Sequence, residues 1–457
     1  DNPSLEKALE FKNILPVFIF DKTLYEYKNI GSASQWWLEK SLNELDKRLN
    51  GKLLIVEGDS LELVPEICYK YSTNAIFWNR CYEPDRIIKD SKIKKTLLEN
   101  NINAVSSNSS LLWEPWTIKN KSGNFYKVFT PFYRRGCLES TSPRLPIKIS
   151  KKGDFKSIKQ EFSNYKFKFL NKKHHWSSKF DKYWTPGEEG AQKTCNSFFS
   201  LGAGLYSEGR NFPNLKAVSR LSPHIHWGEI SIFQLWHLGK DKMKGLNKDT
   251  FLSELAWREF SYYLLYHFPN IHKENLKSNF NAFNWENNDK HIDLWKNGLT
   301  GYPIVDAGMR ELWETGYMHN RTRMITSSFL VKNLLSHWKY GEQWFWDCLV
   351  DADLASNSAS WQWVAGTGTD AAPFFRIFNP ITQAKKFDQD CQYIKRFIPE
   401  LSKLPNKFVF SPWTADESIL SSAGVKLGRN YPEPIIDYHY SRSRALKEFK
   451  ELKNKNL

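Results

Sequence analysis

The hydrophobic period changes once along this 457-residue chain, and that change limits the fold more than any other feature. Up to about residue 125, short apolar runs at Leu15–Phe20, Leu53–Glu57 and Ala75–Trp78 alternate with segments of helical period at Ser34–Leu49, Leu61–Tyr71 and Ser91–Asn100. Short runs of this kind, apolar throughout, read as strands buried in a parallel sheet. Strands and helices in alternation build a doubly wound α/β layer. From about residue 188 the period is helical only, with segments at 251–267, 303–316, 319–337 and 342–350. The expected architecture is an α/β domain over 1–125, a connection over 126–187 and an all-helical domain over 188–457. Asp1-Asn2-Pro3 leads straight into an amphipathic helix, so a first strand of the sheet is expected to be missing.

Charge narrows the partner. Lys and Arg total 65 against 50 acids, a net charge of +15 that favours an anionic partner such as nucleic acid. Pro146 to Lys182 holds eleven lysines and three acids, either a solvated connection or a face that meets DNA directly. Nineteen Trp, twenty Tyr and thirty-one Phe invite stacking or electron transfer as alternatives to core packing. The apolar stretch Ile14–Phe20 has seven residues and includes Pro16, far short of a membrane span. The six cysteines stand at least thirteen residues apart, which leaves no CxxC metal or redox site and points to a reducing, cytoplasmic compartment.

Four segments gather residues that carry chemistry. Glu254, Trp257 and Arg258 fall on one helical face, as either a binding face or an exposed ion pair beside a half-buried indole. In Tyr317-Met-His-Asn-Arg-Thr-Arg-Met324, a helix puts His319, Asn320 and Arg323 together with Met324 beside Asn320, offering donors and one soft apolar contact. Asp351 and Asp353 share no helical face unless the chain turns between them; one can balance an arginine while the other accepts from a ring N–H. Arg376, ahead of Asn379-Pro380, has the reach for a phosphate. Ser219-Arg-Leu-Ser-Pro223, downstream of Tyr206 and Arg210, suits a phosphate at a helix start, though in isolation it reads first as a plain cap.

In order along the chain, Ser219-Arg-Leu-Ser-Pro223, Glu254-Leu-Ala-Trp-Arg-Glu-Phe260, Thr300-Gly-Tyr-Pro-Ile-Val-Asp-Ala-Gly-Met-Arg310, Met318-His-Asn-Arg321 and the run Asp351 to Pro380 resemble the photolyase/cryptochrome family. The likeness is strongest to its class I cyclobutane pyrimidine dimer (CPD) photolyases. It extends to Trp78-Asn-Arg80, Tyr82-Glu-Pro84 and Phe129-Thr-Pro-Phe132. The resemblance implies an antenna-binding α/β domain, a long connection and a helical domain that holds FAD in a bent conformation.

Residue by residue, it implies that Tyr206, Ser219, Leu221 and Ser222 hold the phosphates and ribitol, with Val218 where a threonine is usual. Arg323 and Asp351 would pair beside the isoalloxazine, Asp353 would accept from its edge, and Asn357 would lie near N5. Asn320 and Arg258 are further implied cofactor contacts. Glu254 would hydrogen-bond the flipped pyrimidines, Trp257 and Trp363 would stack on the lesion, and Met324 would fill its apolar side. Arg210, Arg321, Arg376 and Gln383 match DNA-contacting positions, while Trp361, Trp338 and Trp285 match an electron chain from flavin to surface. In that family excited reduced FAD passes an electron to a dimer flipped out of the helix, and the cyclobutane ring opens. Also implied are an antenna chromophore (methenyltetrahydrofolate or 8-hydroxy-5-deazaflavin), UV-damaged DNA as the partner, and a monomer with no metal and no membrane segment.

Two rivals share much of this. A cryptochrome-like photoreceptor would signal without repairing, yet Asn357 is the photolyase-type residue and Glu254, Met324 and Trp363 keep a lesion pocket. Only about 57 residues follow Glu400, too few for a long signalling tail. An enzyme for the (6-4) photoproduct would carry histidines where Asn320 and Met324 stand. A generic single-stranded DNA binder accounts for the charge and aromatics but not for the ordered motifs.

Overall fold

In the computed structural model the described residues are 1–25, 30–149, 151–159 and 176–455, so the lysine-rich run lies partly outside them. Packing groups the chain into two compact units, each discontinuous: residues 1–197 with 220–269, and 198–219 with 270–457.

The first unit is α/β. Its leading elements are α1 (Pro3–Ala8), β1 (Val17–Phe20), α2 (Ser32–Arg48), β2 (Leu54–Glu57), α3 (Ser60–Lys70), β3 (Ala75–Asn79), α4 (Pro84–Glu99) and β4 (Asn103–Ser107). Two parallel pairs form, β1 with β2 and β3 with β4, in the register Val17 to Leu54 and Ala75 to Asn103. Phe18, Phe20 and Ile55 pack against Leu38 and Leu42 of α2, while Val17, Ile19, Leu54 and Val56 meet Leu63 and Ile67 of α3. Both faces of this pair are therefore covered, which is why its strands read as unbroken apolar runs. β4 has no such run and forms on the strength of pairing with β3. α4 starts at Pro84, seven residues ahead of the expected Ser91, because proline suits a helix's first turn. The helices Ile232–Lys242 and Gly245–His267 also pack in this unit.

The second unit is helical. Its main elements include Pro303–Thr315, Asn320–Ser328 continued by the wide π-turn Phe329–Asn333, Trp338–Cys348, Leu354–Ala365 and Pro380–Phe387. Gly316 (φ 68°) and Gly366 (φ 83°) end two of these helices in the left-handed conformation that glycine adopts without strain. The core is aromatic, with Trp295, Trp338 and Trp361 buried among Leu330, Leu334, Phe329 and Phe345. Gly341 makes room for it: a Cβ there would stand 2.0 Å from the Trp361 ring. Among the described residues no helix is long and apolar enough to cross a membrane.

Candidate functional site

In the helical unit the site is built around one ion pair. Nη2 of Arg323 donates to both Asp351 oxygens at 3.1 and 3.0 Å, and its Nε donates to Met318 O at 2.7 Å. Asp351 lies in a turn fastened by Val350 N to Gly316 O at 2.8 Å. The chain does turn between the two aspartates: Asp353 is the N-cap of Leu354–Ala365 and accepts from Ser356 N at 2.7 Å. One turn on, the buried Asn357 amide donates to Glu342 O and Oε1 at 3.0 and 3.2 Å.

His319 departs from expectation. It does not sit on the face of Asn320 and Arg323 but precedes the helix as its N-cap, with Nδ1 accepting from Arg321 N at 3.2 Å. Burial, followed by Arg321, Arg210 and Arg323, pulls its pKa down to about 3. The imidazole is therefore neutral, as an acceptor cap must be. Histidine is a rare cap, and no sequence signal marked it.

Around the helix start, Arg321 stacks over Phe387 at 4.2 Å, donates to Asn211 and meets Met324 Sδ at 3.8 Å. Arg210 lies over Tyr206 at 5.7 Å. Asn320 and Arg376 are exposed, while Met324, Trp363, Gln383 and Ser219 are half-buried. Two buried nitrogens of this cluster, His319 Nε2 and Arg321 Nε, have no hydrogen-bond partner among the described residues. Orphaned polar atoms of this kind call for a polar ligand or water. A carboxylate, an amide and a charge-balanced guanidinium supply what a flavin's ring edge asks for, so the residues present fit FAD.

Trp361 and Trp338 are fully buried and Trp285 is half-buried at the edge of the same core. The His337 ring stands between the last two, 5.3 Å from Trp285 and 5.5 Å from Trp338. Sequence reasoning missed His337, since nothing but its adjacency to Trp338 marked it.

The α/β unit carries the other motif residues. On Gly245–His267, Trp257 stacks face to face on Phe129 with centroids 3.7 Å apart, and Glu254 is half-buried. Arg258 donates to Ser110 O at 2.7 Å and pairs with the buried Glu259, contacts that fasten the unit. Burial raises the Glu259 carboxyl to about 7, against the pull of Arg258 and the amides of Trp113 and Leu112. Leu221 is fully buried and Ser222 is exposed at the start of a short helix, preceded by Arg220 in a left-handed conformation (φ 53°).

Comparison with known proteins meets this arrangement. Residues 1–148 match the DNA photolyase family model, and residues 251–451 match the FAD binding domain of DNA photolyase. A deoxyribodipyrimidine photo-lyase of Agrobacterium fabrum is 42% identical over 99% of this chain and 95% of its own length. Cryptochrome-1 of Arabidopsis thaliana is 34% identical over 97% of the chain and 67% of its own length. The solved structure of a bacterial class III photolyase from Agrobacterium tumefaciens superposes with a TM-score of 0.93 at 42% identity, covering 99% of this chain and 95% of that one. The class I subdivision expected from the motifs thus gives way to a class III likeness. The chain belongs to the DNA photolyase/cryptochrome family, with an N-terminal α/β domain and a helical FAD-binding domain.

Proposed function

We propose that this protein is a light-driven DNA-repair enzyme, a deoxyribodipyrimidine photo-lyase that splits cyclobutane pyrimidine dimers. The observation that carries the reading is the Arg323–Asp351 pair, with Asp353 and Asn357 close by in sequence, in the unit whose core holds Trp361 and Trp338. FAD, when bound, supplies the light-excited electron. The chain's own residues bind and orient. Arg323 and Asp351 neutralise each other beside the ring, Asp353 accepts from its edge, and Asn357 and Asn320 line it. Tyr206, Ser219, Leu221 and Ser222 hold the phosphate and ribitol end. Arg258, already tied to Ser110 and Glu259, steadies the helix of Glu254. Glu254 donates to or accepts from the pyrimidines, Trp257 and Trp363 stack on them, and Met324 closes the apolar side. Arg210, Arg321, Arg376 and Gln383 meet the DNA backbone. Trp361, Trp338 and Trp285 would supply the electron path between the flavin and the surface, with the His337 ring packed between the last two. A folate or deazaflavin antenna chromophore is the accessory part of this reading.

A photoreceptor reading draws on the 34% identity to Cryptochrome-1, but leaves Glu254, Trp257, Met324 and Trp363 together without a purpose. Photoreduced protein is mixed with an oligonucleotide carrying one thymine dimer and lit with blue light. Return of thymine absorbance is expected; a yellow, photoreducible protein without that return overturns repair in favour of signalling. Glu254→Ala should lower repair yield with bound FAD unchanged, and a wild-type yield removes its role.

A further inference from the structure

A cavity lies in the helical unit behind Trp363 and Arg376, and its deeper wall has no role in the reading so far. Its volume is about 330 Å³, at the lower end for small-ligand sites, and its wall includes Ser328, Lys332, Trp363, Asp370 and Arg376. Asn320, Met324, Ser328 and Lys332 recur every four residues, so the helical ridge proposed to touch flavin and lesion continues into this cavity. The π-turn Phe329–Asn333 carries that ridge onward.

Two groups on this wall are unusual. Lys332 is 2% exposed, and its Nζ donates to Arg376 O at 3.0 Å and Pro373 O at 3.4 Å. Among the described residues no carboxylate pairs with it, and burial alone lowers its pKa to about 8. An ammonium buried against neutral carbonyls and the Phe374 ring, 5.7 Å away, has no full counter-charge, which is costly unless a ligand supplies the anion. Ser328, also 2% exposed, has a buried hydroxyl with no hydrogen-bond partner. Asp370 brings one carboxylate to the same wall, against the two cations Lys332 and Arg376.

We infer that this cavity is an anion subsite for a backbone phosphodiester of the nucleotide flanking the lesion, with Lys332 and Ser328 as its deep donors and Arg376 at its mouth. The inference rests on the repair reading above and extends it. Because Lys332 also holds the carbonyl of Arg376, it both charges the subsite and positions the outer arginine.

The test is dark binding of a dimer-containing oligonucleotide across a salt series. Lys332→Met should weaken binding about tenfold and flatten the log–log salt slope by about 0.7 to 0.9, one phosphate's worth of counterion release. A neutral methylphosphonate at the flanking linkage should weaken wild type about tenfold but Lys332→Met less than about twofold, because the two changes remove one contact. Lys332→Arg should restore the slope. A clamp with no phosphate contact would leave slope and linkage effect unchanged, and that result overturns the inference. If Lys332→Met does not fold, the methylphosphonate series on wild type and on Ser328→Ala decides, and no sensitive linkage beside the lesion overturns it. Inorganic phosphate that displaces DNA from wild type better than chloride at equal ionic strength, but not from Lys332→Met, would make this a free-phosphate site instead. Failure of illuminated repair with these dark effects intact would defeat the repair reading and not the subsite.

Discussion

Each unit holds a lysine partly or wholly out of water, half-buried Lys89 in one and buried Lys332 in the other, and the two are satisfied in opposite ways. Lys89 of the α/β unit reaches Asp21 Oδ2 and Asp59 Oδ1, both at 2.7 Å, and Asp21 accepts further from the amides of Thr23 and Ser60. Burial lowers the Lys89 pKa, but the two carboxylates outweigh it and the net shift is upward. Lys332 of the helical unit meets two carbonyls and the face of Phe374, with no carboxylate among the described residues, and is shifted downward. The first lysine completes a network at the carboxyl ends of β1 and β2, where open α/β sheets leave a crevice. The second leaves a network unfinished. A cation with its counter-charge supplied by the fold serves stability; one without it is available to an outside anion.

The sharpest break of this comparison removes both charges in turn. Lys89→Met leaves Asp21, whose side chain is 1% exposed, without a counter-ion, and should cost about 3 kcal/mol. Hydrogen exchange of the β1 and β2 amides reads that loss directly. Exchange unchanged within about 1 kcal/mol would mean that the hydroxyl and amide donors alone hold the carboxylate.

Acid titration sharpens it at smaller scale. Burial works against ionised Asp21, but Lys89 and Ser60 prevail and its pKa falls from 3.8 to about 2. The stabilisation is present in full above pH 3.8 and is lost as pH falls through 2, about 2 kcal/mol in all. Glu259, in the same unit, runs the other way: raised from 4.5 to about 7, it makes stability fall as pH climbs through that window. Unfolding followed against pH should lose the acid limb in Asp21→Asn and the neutral limb in Glu259→Gln. Parallel curves for wild type and variants would contradict both assignments.

Much of this was legible in the sequence because one-dimensional patterns encode it. The runs at Leu15–Phe20 and Leu53–Glu57 became β1 and β2, since a strand covered on both faces must be apolar throughout. Asn-Ala-Val-Ser-Ser, which became β4, carries no such pattern and is made a strand by its neighbour. The ordered motifs identified the family, and the expected aspartate–arginine pair formed between Asp351 and Arg323, but the spacing did not announce Asp353 as a helix cap. What stayed hidden depends on three dimensions. His319 as a neutral cap, His337 as another (accepting from Lys339 N at 3.2 Å, its pKa pulled down to about 4 by burial), and Lys332 without an acid are facts of three-dimensional packing. No spacing rule records them.

The smallest expected effect is the most discriminating. At pH 7 a lysine whose pKa has dropped from 10.5 to about 8 carries a burial penalty of about 3 kcal/mol, which Lys332→Met removes. The same change strips a donor from Pro373 O and Arg376 O, at roughly 1 to 3 kcal/mol for each carbonyl left unsatisfied. The contact to Pro373 O is long at 3.4 Å, so the lower end of that range applies, the terms nearly cancel, and stability should stay within about 1 kcal/mol of wild type, read by hydrogen exchange over residues 320–333. A loss of about 3 kcal/mol, matching Lys89→Met, would show Lys332 to be an internal fastening and erase the contrast between the units. A neutral or stabilising result would mean that this lysine is kept at a cost to the fold, as expected of a charge whose partner comes from outside the chain.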